Sequence, residues 1–271
     1  MTSEGLSYAA AGVDIEAYER ALERIKPLIA AVIGLDIVNH CVNDIATAGA
    51  RPLFFLDYFA TGKLDPLVFT SLVEGMTEAC RAAGCALLGG ETAEMPGMYA
   101  LGDYDLAGFI VGLVEADHRR DSVHAGDVLV GLPSSGLHTN GYSLARKVFE
   151  GVPLAGRLAE RLMAPHLSYL DDLRKIRWKG AAHITGGGIT GNLPRCLPGG
   201  LAASVRKGAW EAPPIFEEIR KRGRVSDDEM WGTFNMGLGM ILVVDPTDVP
   251  AEVTVVGEVV KQSGPDRVKV S

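Results

Sequence analysis

The sequence predicts a layered α/β fold in two domains. A sheet-and-helix domain is expected over residues 1–118 and a sheet packed by helices over 119–271. Three observations carry this expectation. Strand-like apolar runs alternate with segments of helical period in both halves. Of 271 residues, 47% are hydrophobic, enough for two cores, while 22% are charged, an ordinary fraction. Polar glycine-rich signatures follow several strands, where α/β proteins build ligand sites.

Asp14 reads as an N-cap, and Ile15, Tyr18, Leu22, Ile25 and Ile29 behind it recur at helical spacing. That predicts a helix over 14–30, and the apolar stretch that follows predicts a second over 31–48. Aromatic-rich Leu53 to Phe59 reads as a strand. Asp65-Pro66 then opens a helix that stops at Gly84. A short strand, Ala86 to Leu88, runs into Gly89-Gly90, read as a sharp turn. Asp105 to Glu115 is another strand, and polar Ala116 to Gly126 is read as the connection between domains. Beyond it, strands are expected at 128–132, 181–184, 201–205, 236–244 and 253–260. Helices are expected at 141–150, 166–177, 190–196 and 214–222.

Composition narrows the function. The formal net charge is −8 and no basic run occurs, so a nucleic-acid footprint is absent. The N-terminus lacks the pattern of a signal peptide, and the apolar stretches read as too short to span a bilayer. A cytoplasmic location is the default. Cys41, Cys80, Cys85 and Cys196 form no C-x-x-C pair, and no Cys/His group has zinc spacing. Reduced, buried cysteines are expected.

Four signatures carry chemistry: Val42-Asn43-Asp44, Gly89-Gly90-Glu91-Thr92, Ser134 to Leu144, and His183 to Arg195. Asp44 sits among apolar residues. It is either a Mg²⁺ ligand facing triphosphate oxygens or a buried, hydrogen-bonding carboxylate. Glu91 projects beside a strand end as a metal or substrate contact, or as a solvated turn carboxylate. His138 lies between a Ser-Ser-Gly turn and a helix beginning near Asn140. It is a candidate for proton exchange near neutral pH, weighed against a polar surface histidine. Asn140 is a candidate cap for that helix. Thr185-Gly186-Gly187-Gly188, between a strand and a helix, is the strongest phosphate cradle. Arg195 and Lys63 are lesser candidates.

Taken together, these stretches resemble the phosphoribosylformylglycinamidine cyclo-ligase family, the aminoimidazole ribonucleotide synthetases. The resemblance rests on LSYAAAGVDI, CVNDI, PLFFLDYFATGKL, LLGGETAEMPGMY, SSGLHTNGYSL, HITGGGITGNLPR and TFNMGLGM, in one order along most of the chain. It implies a homodimer paired through a sheet-built barrel of the N-terminal domains. It implies ATP, Mg²⁺ and a small phosphoribosyl substrate, with no nucleic acid and no membrane. The implied reaction converts formylglycinamidine ribonucleotide to aminoimidazole ribonucleotide, releasing ADP and phosphate. On this basis Asp44 and Glu91 are expected at the metal. Asn43, Gly89, Gly90, Glu91, Thr92 and Lys63 are expected at ATP, and Asn140 with Thr185 to Gly188 at the substrate. His138 and Asp44 are the expected catalytic residues.

One departure stands out. The family carries a glycine-rich loop and a D-G-V-G-T-K segment between its first helix and a G-I-D-L-V-A-M stretch. Here Ile29-Ala30 runs almost directly into Ile33-Gly34-Leu35-Asp36. The missing residues would include an Asp and a Lys expected at the ATP phosphates, plus a strand. Either the encoded protein has residues that this sequence omits, or the deletion is genuine. An orphaned strand neighbour costs about 1–3 kcal/mol per unpaired backbone group, which favours omission.

Overall fold

The computed structural model describes residues 15–115 and 122–271, with side chains from Lys26 onward. The expected cap Asp14 and the proposed boundary at 118/119 lie outside the described residues.

The two expected N-terminal helices are one. Helix α1 runs Ile15–Ala46 without a break. Ala30 and Ala31 are strong helix formers, and neither Gly nor a cap residue intervenes before Gly34. Pro27 removes one main-chain bond without ending the helix. A turn reverses the chain into β1, Ala50–Thr61. Helix α2, Pro66–Ala83, begins as expected: Asp65 Oδ1 accepts from Leu67 and Val68 N–H, and Gly84 ends it at φ 69°.

Helices α1 and α2 cross through two glycines. A Cβ on Gly75 would sit 1.9 Å from Ala31 O, and one on Gly34 would sit 2.1 Å from Leu72 O. Gly34 thus accepts a helix-propensity penalty in exchange for close backbone approach.

Strands β2 (Ala86–Glu94) and β3 (Tyr104–Val114) flank β1, parallel and antiparallel respectively. The turn expected at Gly89-Gly90 is not formed. The strand continues through it, with Gly90 opposite Asp57, Glu91 opposite Tyr58 and Thr92 opposite Phe59. The ladder of the twelve-residue β1 holds it. Gly89 (φ 131°) absorbs a register shift, and a Cβ on Gly90 would lie 2.1 Å from Asp57 O.

One face of this sheet packs on α1, where Gly108 and Gly112 of β3 admit Ile37 and Ile45. The alternate residues Phe109, Val111 and Leu113, with Leu53 and Leu88, remain exposed.

The second sheet has the order β5-β7-β4-β8-β6-β9. Its strands are β4 (Val128–Pro133), β5 (Gly180–His183), β6 (Leu201–Val205), β7 (Leu238–Val244), β8 (Thr254–Lys261) and β9 (Val268–Val270). Strand β7 is buried along its whole length. Met240, Leu242 and Val244 face a core shared with α1 and α2, while Ile241 and Val243 face a second core.

Helices α3 (Tyr142–Val148), α4 (Gly156–Leu162), α5 (Leu170–Lys175), α6 (Gly188–Asn192), α7 (Pro214–Gly223) and α8 (Asp227–Thr233) complete the chain. Helices α4 and α8 and strand β9 were not expected. Each is seven residues or shorter, too brief for a periodic signal. Helix α5 is half the length expected, because 166–169 is spent on docking.

By length and composition, the Lys26–Ala46 part of α1 could cross a membrane, contrary to the expectation that no stretch is long enough. Fusion of two segments produced that length. The same helix carries Asp36, Asn39, His40, Asn43 and Asp44 on one side, bonded to other elements.

Replacement of Gly75 by Ala forces the helices apart, costing about 1–3 kcal/mol. A melting temperature lowered by several degrees in Gly75→Ala is the expected outcome; an unchanged one removes the close-crossing account.

Candidate active site

The site is built where α1 meets the loop between α4 and α5. Asp36, Asn39 and Asn43 are spaced i, i+3, i+7 on one face of the helix. Asp36 Oδ1 accepts from His166 N–H at 2.8 Å, and Asn39 Nδ2 donates to His166 O at 2.8 Å. Asn43 donates to Leu167 O and accepts from Tyr169 N–H, both at 2.8 Å. Asn43 is fully buried with both ends of its amide engaged, so it is a clasp between the two halves rather than the expected ATP ligand.

Asp44, one step round the helix, is half exposed. Its Oδ1 accepts from His183 Nδ1 at 2.8 Å, and its Oδ2 lies 3.6 Å from His40 Nε2. Burial alone would raise its pKa. The His183 hydrogen bond and the charges of His183, His40 and Arg195 outweigh this and hold the carboxyl below its ordinary value.

His138 is completely buried, which overturns the surface reading. Its Nε2 accepts from Ser135 N–H at 3.1 Å, so its proton sits on Nδ1, which has no hydrogen-bond partner among the described residues. The ring stacks on His166 at 4.3 Å. Burial, helped by His183 and His40, pushes its pKa down to about 3. Proton exchange near neutral pH is therefore not open to it in this state; it is a neutral N–H donor. His138 and Thr139 both hold positive φ, 51° and 61°. For β-branched Thr139 this costs of order 1–3 kcal/mol, tolerated because its hydroxyl is held at three points. Oγ1 lies 2.7 Å from His138 O, 3.2 Å from His40 Nδ1 and 3.3 Å from His166 Nδ1.

Asn140 does not cap the next helix. Its amide donates to His138 O, and Gly141 (φ 74°) stands at the cap. Its Oδ1 faces Gly186, 3.4 Å from where a Cβ would be.

The turn Thr185 to Gly188 follows β5. Asn192 Nδ2 binds the carbonyls of Thr185, Gly186 and Gly188 and locks it. The N–H of Gly188 is taken by Thr185 O, so the expected three-glycine cradle loses that donor. Gly188 serves packing instead, since a Cβ there would lie 2.1 Å from Trp231 O.

The remaining predicted residues lie elsewhere. Glu91 pairs with Tyr58, eight residues along β1 from Ala50, or about 26 Å at strand rise. Gly89, Gly90 and Thr92 share that strand. Lys63 lines a cavity with Lys26, Thr61, Asp65 and Tyr104. Lys26 is about 21 Å along α1 from His40. Asp44 and Glu91 therefore do not meet within this chain.

Sequence reasoning missed Asp36, His40, His166 and His183 as a group. One signal was present: Asp36, Asn39, His40, Asn43 and Asp44 form a polar stripe at i, i+3, i+4, i+7 and i+8 in an otherwise apolar helix. His166 has no such signal; only the fold brings it in.

The histidines predict a pH dependence. Burial first, then neighbouring histidines, lowers the pKa of His166 far below its ordinary 6.5 and depresses His138 and His40 as well. Below pH 6.5 the unfolded chain takes up protons that the folded chain refuses. The stability present above that pH is lost on acidification, by up to about 1.4 kcal/mol per pH unit for each histidine. Asp36, raised to about 6 by burial, offsets one proton below that pH. A melting temperature that falls steadily from pH 7 to 5 is expected; a flat profile rejects the neutral cluster.

Comparison with known proteins covers both halves. Residues 20–114 match the family described as AIR synthase related protein, N-terminal domain, and residues 124–268 match its C-terminal domain. The chain is 54% identical over 239 residues to phosphoribosylformylglycinamidine cyclo-ligase of Myxococcus xanthus, covering 82% of this chain and 69% of that one. It is 47% identical over 257 residues to that of Thermoanaerobacter pseudethanolicus, covering 86% and 76%. The protein of that name from Methylobacillus flagellatus is 43% identical over 315 positions, covering 93% and 91%. That alignment is longer than this 271-residue chain, so the relative carries internal residues that have no counterpart here. Among solved structures, thiamine monophosphate kinase from Aquifex aeolicus superposes with a TM-score of 0.65 at 16% identity, covering 90% and 81%. Hydrogenase maturation protein HypE gives 0.67 at 17%, covering 88% and 79%. These two share the fold. The identities to the curated relatives, over both domains, establish that the chain belongs to the phosphoribosylformylglycinamidine cyclo-ligase family.

Proposed function

We propose that this chain closes the imidazole ring of formylglycinamidine ribonucleotide at the expense of ATP. The observation that carries this reading is the convergence of Asp44, His138, Asn140 and the Thr185–Gly188 turn at the junction of the two domains. Phosphoryl transfer to the formyl oxygen turns a poor leaving group into phosphate. An amidine-side nitrogen then attacks the formyl carbon, the ring closes and phosphate departs. Such chemistry asks mainly for positioning and charge neutralisation.

Each residue has a role in this proposal. Asn140 and the N–H groups of Gly186 and Gly187 hold the substrate's phosphate beside Thr185. Neutral His138 directs its Nδ1–H at the reacting amide, which gives that buried donor the partner it lacks. A half-exposed, ionised Asp44 has the oxygen donors that Mg²⁺ prefers, and Mg²⁺ there would neutralise triphosphate charge. Glu91 and Lys63, at the far end of β1, serve ATP only at that separate place. The exposed apolar face bearing Phe109, Val111 and Leu113 is the surface expected to pair in a homodimer. Cys41, Cys80, Cys85 and Cys196 form no disulfide, which suits a reducing, cytoplasmic setting.

The test is release of inorganic phosphate from ATP, Mg²⁺ and the open-chain substrate, with formation of the aminoimidazole product. A second reading, a nucleotide-binding dimer without turnover, is favoured by the missing internal segment. ATP binding with no phosphate release would select it. His138→Gln keeps an acceptor toward Ser135 and removes the Nδ1–H. It is expected to lower kcat more than about tenfold while the fold persists, an effect of the size of one lost transition-state donor. Unchanged kcat ends the donor role.

A further inference from the structure

We infer that His40, His166 and His183 form a binding site for a late first-row divalent cation, Zn²⁺ above all, clamping α1 to the C-terminal domain. The inference is independent of the proposed ring closure and concerns a different class of metal from Mg²⁺.

Three imidazoles from three elements converge here: α1, the loop before α5, and the end of β5. One ring nitrogen of each lies within 4.8 Å of the others. The ring centroids are 5.2, 5.0 and 5.2 Å apart, with interplanar angles of 66°, 65° and 64°. That near-equilateral arrangement matches tetrahedral coordination: bonds of about 2.05 Å place imidazole centroids roughly 5.2 Å apart and ligand nitrogens roughly 3.3 Å apart. His166 Nε2 and His183 Nε2 are 3.1 Å apart.

The hydrogen bonds behind the rings strengthen the case. His183 Nδ1 faces Asp44, an ionised carboxylate that can only accept. His40 Nδ1 and His166 Nδ1 both face Thr139 Oγ1, whose own proton goes to His138 O. The outer partners of His166 and His183 therefore accept, which places their protons on Nδ1; His40 has the nearer acceptor, Thr139 Oγ1, at Nδ1 and a farther one, Asp44 Oδ2, 3.6 Å from Nε2. The Nε2 lone pairs of His166 and His183 are left facing each other at 3.1 Å, with a ring nitrogen of His40 within 4.8 Å of both. A cation between them converts this repulsion into coordination, and the carboxylate–histidine pair is the usual outer support of such a ligand. Three imidazoles with a carboxylate behind them suit Zn²⁺, Co²⁺, Ni²⁺ or Cu²⁺ over the hard Mg²⁺. A fourth position is open to water.

The experiment uses untagged, EDTA-treated full chain. Titration with Zn²⁺ by calorimetry is expected to show one saturable equivalent, and Co²⁺ is expected to give the intense visible bands of a tetrahedral site. Neither should be displaced by millimolar Mg²⁺. His40→Gln, on a partly exposed helix face, and His166→Gln are each expected to weaken Zn²⁺ binding by about 100-fold. Absence of saturable binding in the unmutated chain overturns the inference, because a proton then bridges His166 and His183. Displacement by Mg²⁺, or unchanged affinity in both variants, overturns it equally. Should a variant fail to fold, stoichiometry and the Co²⁺ spectrum of the unmutated chain decide alone.

Discussion

The structure depends on the grip of one helix on one loop. Asp36, Asn39 and Asn43 hold the backbone of residues 166–169 with four hydrogen bonds. That loop has no regular structure to satisfy itself, and an unmet buried backbone group costs about 1–3 kcal/mol. The polar face of α1 therefore decides where the loop lies, and with it His166 and the start of α5. The apolar surroundings follow: Val38 and Val42 of α1 share a core with Trp178 and Leu242 of the C-terminal domain.

Chemistry gathers at this seam because polar groups are already required there. His183 ends β5 and finds Asp44; Thr139, held at positive φ, finds both His40 and His166. Burial disfavours the charged forms of His40, His138 and His166, so they act as donors and lone-pair acceptors rather than as acids. The strained His138-Thr139 pair is the kind of local cost that persists only when its surroundings hold it in place. The glycines of the neighbouring turn divide their work in the same way. Gly188 is required by the approach of Trp231, while Gly186 leaves space beside Asn140.

Much of this was legible in the residues. Asp65-Pro66 and Gly84 marked both ends of α2, and apolar runs marked the strands of the second sheet other than β9. SSGLHTNGYSL and HITGGGITGNLPR announced two loops that do meet. The misreadings have physical causes. Gly89-Gly90 looks like a turn in isolation, but a long neighbouring strand supplies a ladder that outweighs glycine's freedom. Residues 14–48 looked like two helices because the helical spacing of 15–29 gives way to an apolar stretch; Ala30 and Ala31, good helix formers, carry the helix across the change. Asn43 looked like a ligand because it neighbours Asp44, yet adjacent helix positions point about 100° apart and reach different partners.

By itself the sequence determined what is local or cumulative: the layered α/β class, the capped helix, the small-residue turns and family membership. Those signals survive without contacts, since they come from periodicity, backbone freedom and long ordered motifs. Only the tertiary structure decided which polar groups share a site. His40 lies more than a hundred positions from His166 and His183, which are themselves 17 apart, and the three follow no ligand spacing, so their meeting is a property of packing. The same packing moved Glu91 and Lys63 away from Asp44, because a strand carries its side chains along its full length while a helix of equal residue count covers less than half the distance.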